Sequence, residues 1–341
     1  MSAVVVFIIF AICLVIAIPI SISLGIVAVL PGAFDASFTA SAGYVIRSMV
    51  GGIDSFPLLA VPMFVLAGIL MAHGKISEKL FDVFVYFLGN KRAGIPCAVI
   101  ITCLFYGAIS GSAPATVAAV GSMTIPLLIE LGYEKDFSTA IVAVAGGLGV
   151  IIPPSIPFIM YAMATGESVS DLFLAGIVPG MMISALLIFY AYYYCRRHGE
   201  DREKIQAKMA QLKTKGFVNI LKESIWALLS PVIVLGCIYS GVASPTEAAV
   251  ISVFYSLFVS LFIYRSIKVK QIWGIMVEAM KTYAPILFIL ATSTAFSRVL
   301  TLMQVPQDVS AWIMTHFSNE IVLLLVINVV LLIVGMVMDT T

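Results

Sequence analysis

Long apolar runs, cut by short polar breaks, fill most of this 341-residue chain. The runs predict spans at about Val4–Ile18, ending at Pro19, at Ile20–Phe34 and at Pro57–Ala72. A polar connection with Arg47 and Asp54 separates the second and third. Ile76–Leu88 has a different pattern. Ile76, Leu80, Phe84 and Leu88 recur at helical spacing, with Glu78, Lys79 and Asp82 on the other face. That suits a helix lying in the membrane interface, and equally a short soluble connector. Further spans are predicted at Ser138–Ala164, Leu172–Tyr194, Ile225–Ser240, Ala248–Tyr264, Pro285–Leu302 and Ile321–Met338. Pro306–Ser318, less apolar, suits a second interfacial helix, with Val309, Ile313 and Phe317 at helical spacing.

Two stretches break this pattern. Gly107–Pro126 is rich in small residues and prolines, and carries Ser110, Ser112, Thr116, Ser122 and Thr124. Irregular backbone at membrane depth is tolerated only where protein or a water-filled cavity covers it. The stretch 94–130 is therefore expected to be a re-entrant hairpin with its tip at Ser110–Pro114; a span with a small-residue packing face is the alternative. The second stretch, Gly146–Pro157, has three glycines and three prolines and cannot be one regular helix. It is expected to break the span 138–164.

Composition agrees. The chain is 61% hydrophobic and 11% charged, with mean hydropathy +1.11, against roughly 25% charged residues in soluble domains. The expected class is an all-α polytopic membrane protein. A net charge of +1 suggests no nucleic-acid partner. Val4–Ile18 has no preceding basic residue and no small-residue cleavage site, so it reads as a retained span. The five cysteines lie in or beside apolar runs, and the three histidines form no ligand motif.

The second half restarts the first. Ala17-Ile18-Pro19 answers Ala243-Ser244-Pro245, and Phe56-Pro57-Leu58-Leu59 answers Ala284-Pro285-Ile286-Leu287. Gly107-Ala-Ile-Ser answers Gly335-Met-Val-Met. The expected domains are a first repeat, 1–195, a cytoplasmic linker, 196–224, and a second repeat, 225–341. Within the first, scaffold spans occupy 1–92, the hairpin 94–130, the broken span 138–164 and a last span 172–194. With basic Arg196–Gly216 in the cytoplasm, the other Lys/Arg-rich loops also fall inside and the N-terminus outside. Each half then has five crossings, so the repeats are inverted, a recurring plan of secondary transporters. By this correspondence Thr341 matches Ala113, and a truncation at the second hairpin tip is expected.

Ser110-Gly-Ser-Ala-Pro-Ala-Thr116, Ile152-Pro-Pro-Ser155, Gly241-Val-Ala-Ser-Pro-Thr-Glu-Ala248 and Gly335-Met-Val-Met-Asp339 resemble the large membrane subunit of TRAP (tripartite ATP-independent periplasmic) transporters. The resemblance spans essentially the whole chain. It implies elevator-type, sodium-coupled import of organic acids in the bacterial inner membrane. It also implies two partners, a small membrane subunit and a periplasmic substrate-binding protein.

The chemistry of the two breaks is compatible with that. Hydroxyls and unwound carbonyls suit sodium, and neither 107–126 nor 146–157 holds an ionisable residue that would point to protons. The sodium candidates are Ser110, Ser112, Gly147, Gly149, Val150, Pro153, Asp339 and Thr340; Asp339 is the exception, suiting a second sodium site, a proton carrier or a helix cap. Helix N-termini attract anions, which makes Ser112, Thr116, Pro154 and Ser155 the substrate candidates. Glu247 suits either an N-terminal helix charge or a ligand. Arg47 and Arg298 suit interfacial anchors or anion contacts. An intramembrane serine hydrolase, a channel and a binding-protein-independent anion transporter are the competing classes. No Gly-x-Ser-x-Gly elbow and no dinucleotide fingerprint support an enzyme.

Overall fold

The computed structural model describes residues 2–35, 38–214, 216–316 and 319–337. Among these every regular element is helical. In chain order they are α1 (Ala3–Val15), α2 (Ile20–Phe34), α3 (Ala42–Ile53), a 3-10 turn at Pro57–Leu59, α4 (Ala60–His73), α5 (Ile76–Leu88), α6 (Gly94–Ser110) and α7 (Ala113–Glu130). There follow α8 (Lys135–Gly146), a 3-10 turn at Gly147–Val150, α9 (Ile156–Thr165), α10 (Val169–His198), α11 (Arg202–Thr214) and α12 (Phe217–Tyr239). The last are α13 (Pro245–Phe258), continued by a π-helical turn at Val259–Ile263, α14 (Val269–Leu302), α15 (Val305–His316) and α16 (Glu320–Val337).

Local chemistry sets many of these boundaries. Ser41, Ser155, Ser168 and Ser244 each accept a hydrogen bond from the backbone N–H three residues on, capping α3, α9, α10 and α13. Such caps contribute about 1 kcal/mol each. At α13 the cap is reciprocal, because Glu247 Oε2 accepts from Ser244 N at 2.8 Å. Glu247 is thus the helix-terminal charge. Lys75 and Ala93, in left-handed conformation at φ 59° and 55°, turn the chain before α5 and α6.

Two elements run further than their hydropathy predicts. α14 starts at Val269, sixteen residues before Pro285, because the preceding polar stretch is amphipathic and buries Ile275 and Ala279 one turn apart. α12 starts at Phe217, and its charged first turns are held by a Lys79–Glu223 ion pair.

The chain packs as two compact units. One joins 1–55 to 283–341. Its core is Val6, Leu24, Val27, Ala28, Val45, Ala295, Phe296 and Val299, with Phe7 and Phe10 against Phe296. The other, 56–282, has α4 packed on α13, and α5, α8, α10 and α12 packed around α6. α6 is its most buried helix, with thirteen buried residues including Tyr106 and Ile109.

Within this second unit α6 and α7 double back on each other. Ile95, at the start of α6, lines one pocket with Met123 and Leu127 near the end of α7. A single oxygen, Glu200 Oε1, accepts from Ala93 N at 3.0 Å and from Tyr133 OH at 2.7 Å, joining the residues that flank the pair. Most large exposed side chains on α10 and α13 are apolar, as lipid contact requires.

Candidate functional site

The two irregular stretches meet. α6 ends at Ser110, Gly111 takes φ 63°, and Ser112 opens α7 in extended conformation. Only glycine adopts the Gly111 geometry without strain, and a Cβ there would also lie 2.8 Å from Pro154 O. Ile156 N donates to Gly111 O at 3.2 Å, which ties the start of α9 to the tip of the α6–α7 hairpin. Gly107 and Gly149 let the two backbones touch, since a Cβ on Gly107 would sit 2.6 Å from Gly149 Cα.

A polar knot fills this contact. Ser110 Oγ and Thr116 Oγ1 are 3.0 Å apart, and both residues are buried. Ser112 O accepts from Thr116 N at 3.0 Å and from Thr116 Oγ1 at 2.8 Å. A Cβ on Gly149 would overlap Thr116 Oγ1 and lie 2.9 Å from Ser112 O. Buried Ser155 donates to Val150 O at 2.6 Å and accepts from Phe158 N at 3.4 Å. The helical donors for the carbonyls of Gly149 and Val150 would be residues 153 and 154, and both are prolines without an N–H. Those carbonyls are therefore released from the helix pattern.

Four helix ends converge here. α6 and α8 arrive with their C-termini, at Ser110 and Gly146, and α7 and α9 leave with their N-termini, at Ala113 and Ile156. Each C-terminus carries partial negative charge and each N-terminus partial positive charge. The place thus offers oxygen ligands to a cation and N–H donors to an anion, with no ionised side chain among the described residues that form it.

Of the residues predicted from sequence, Ser110, Ser112, Thr116, Gly149, Val150, Pro154 and Ser155 come together, and buried Pro153 lies in the same turn. Gly147 faces open space, with no heavy atom within 4 Å of an added Cβ. Asp339 and Thr340 lie outside the described residues. Sequence reasoning missed Tyr106 and Gly68: Tyr106 OH donates to Gly68 O at 2.8 Å and braces the arm that carries the tip. It also gave Tyr133 and Glu200 no role. A tyrosine in an apolar run and one acid in a charged segment carry no signal of their own.

Among the described residues five helices, Ala113–Glu130, Val169–His198, Phe217–Tyr239, Pro245–Ile263 and Val269–Leu302, are long and apolar enough to cross a membrane. With the converging helix breaks, they define a multi-pass membrane protein of all-α class. The description "Tripartite ATP-independent periplasmic transporter, DctM component" matches residues 7–341, and the chain belongs to that family. The isethionate TRAP transporter permease protein DctMQ of Oleidesulfovibrio alaskensis is 41% identical over 330 residues, covering 97% of this chain and 51% of that protein. The C4-dicarboxylate TRAP transporter large permease protein DctM of Pseudomonas aeruginosa is 38% identical over 286 residues, 84% of this chain and 66% of its own length. The 2,3-diketo-L-gulonate TRAP transporter large permease protein YiaN of Escherichia coli is 36% identical over 295 residues, 86% of this chain and 68% of its own. The chain therefore spans about half to two thirds of the length of these relatives.

Proposed function

We propose that this chain is the large membrane component of a sodium-coupled importer of small organic acids in the bacterial inner membrane. Its partners are a small membrane subunit and a periplasmic binding protein that delivers the acid. The observation that carries this reading is the convergence of four helix termini at Ser110–Thr116 and Gly147–Ser155. Freed carbonyls and the Ser110 and Ser112 oxygens would hold Na⁺; the N-termini of α7 and α9, with the Ser112 hydroxyl, would hold the carboxylate, while Thr116 and Ser155, whose hydroxyls donate to Ser112 O and Val150 O, would fix the shape of the two helix starts. Names of related proteins support an organic-acid substrate, since they refer to isethionate, C4-dicarboxylates and 2,3-diketo-L-gulonate. In this reading the two repeats are inverted, the N-terminus is periplasmic, and transport is of the elevator type, in which the hairpin and the broken span move as one body.

The test is uptake of a radiolabelled C4-dicarboxylate into proteoliposomes holding the full-length assembly. Uptake is expected only with the binding protein and an inward sodium gradient. Equal uptake under a proton gradient without sodium would refute the coupling. Uptake that ignores the binding protein would favour a binding-protein-independent anion transporter.

A further inference from the structure

Arg196–Gly216 reads in the sequence as a charged linker. In the structure its central part lies across the base of the α6–α7 hairpin. Gly199, at φ 80°, ends α10 and turns the chain so that Glu200 points inward. The Glu200 side chain is only 2% exposed. Its Oε1 accepts from Ala93 N and Tyr133 OH, the two flanks of the hairpin, and its Oε2 accepts from Arg202 at 2.9 Å. Arg202 also donates to Asn90 O at 3.3 Å. Asp201 lies against Gly132, where an added Cβ would come within 3.2 Å of it. Asp201 then caps α11, accepting from Lys204 N at 3.2 Å. From there α11 buries Ile205 and Met209, both 2% exposed, and Met209 packs on Gly89. Lys208 and Leu212 line a pocket with Ile95, Leu127 and Leu131 from both arms of the hairpin.

A buried carboxylate is retained at a cost unless its oxygens are filled, and removing it leaves its donors unpaired. Here three donors from three parts of the chain fill it. Burial and the neighbouring Glu200 push the Tyr133 phenol above its ordinary range, so it remains a donor.

We propose that residues 199–212 form a strap, pinned by Glu200, that closes the base of the hairpin and makes Glu200 a positioning residue for the tip. With both flanks tied to one carboxylate, the arms cannot splay from the base. The knot at Ser110–Thr116 is then held against Gly149 from below as well as by its own contacts. The functional part of this inference rests on the tip being the sodium and substrate site.

The experiment uses the full-length assembly in lipid nanodiscs and proteoliposomes, with Glu200→Ala and Glu200→Gln. The glutamine variant keeps an acceptor for Ala93 N and Tyr133 OH and removes the charge. Hydrogen exchange of peptides covering 90–96 and 131–134 is expected to rise about tenfold or more in Glu200→Ala. The sodium concentration for half-maximal uptake should rise several-fold, with a smaller change in maximal rate. Glu200→Gln should restore both toward wild type, which a general loss of folding would not allow. If Glu200→Ala does not accumulate, Tyr133→Phe removes one of the three bonds and should show the same split in smaller measure. Unchanged exchange at both flanks in Glu200→Ala, or Glu200→Gln as impaired as Glu200→Ala, would overturn the strap. Wild-type uptake indifferent to sodium, with the exchange pattern as expected, would remove the sodium reading and leave the strap standing.

Discussion

A single methyl group tests the contact between the two helix breaks. In Gly149→Ala the new Cβ would overlap Thr116 Oγ1 and approach Ser112 O to 2.9 Å. Rotating Thr116 relieves only the contact with its hydroxyl; Ser112 O is main chain and still lies 2.9 Å from the new Cβ, so the two backbones must also part slightly. Rotating the Thr116 side chain away breaks its bonds to Ser110 Oγ and Ser112 O, each contributing about 0.5–1.5 kcal/mol. Overpacking elsewhere in proteins costs about 1–3 kcal/mol. Against this, alanine is up to about 1 kcal/mol better than glycine in helical backbone. The net expectation is a loss of about 1–5 kcal/mol. At ~2–4 °C per kcal/mol for 150–250 residues, the thermal midpoint should fall by several degrees. Gly147→Ala is the internal control, because nothing lies within 4 Å of its added Cβ. Scanning fluorimetry of the full-length protein in detergent, with and without sodium, reads both. Gly149→Ala as stable as wild type, or Gly147→Ala equally damaged, would show that the two breaks do not touch as described.

Three further outcomes follow from the same geometry. Tyr106→Phe removes the bond to Gly68 O and should lower stability by about 1 kcal/mol, measured by the same thermal assay, with no new cavity to confuse the result. Ser155→Ala loses both the Val150 O bond and the α9 cap, so a cost of about 1–2 kcal/mol is expected, together with weakened sodium dependence of uptake; Ser155→Thr should recover part of it. The Asp201 carboxyl is held below its ordinary range, first by the Lys204 backbone N–H and then by the Lys204 side chain. Its contribution to α11 is present above the ordinary carboxylate pKa and is lost as pH falls through the lowered folded value. Protection factors in the first turn of α11, taken relative to the intrinsic exchange rate at each pH, should therefore fall at acid pH, and Asp201→Asn should flatten that dependence.

The architecture was largely legible because lipid imposes a simple rule: backbone groups at membrane depth must be satisfied within a helix or be covered. Apolar runs therefore marked helices such as α10 and α13, and Ser110–Pro114 and Gly146–Pro157 stood out as places that violate the rule. The serine caps of α9 and α13 were not read from the sequence, which placed Ser155 among the substrate candidates and began the later span at Ala248 rather than Pro245. Where charge and burial compete, the reading fell short. The amphipathic start of α14 and the charged first turns of α12 looked like connections because their apolar stripes are narrow.

Residue types and their order were enough to define a helical membrane protein with two broken, hydroxyl-bearing stretches, since composition and proline placement act locally. That those stretches touch through Gly107 and Gly149, and that Glu200 ties Ala93 to Tyr133, emerged from the folded chain alone. Such contacts join residues far apart in the chain. Their energy depends on distances of a few tenths of an ångström, which no periodicity or spacing encodes.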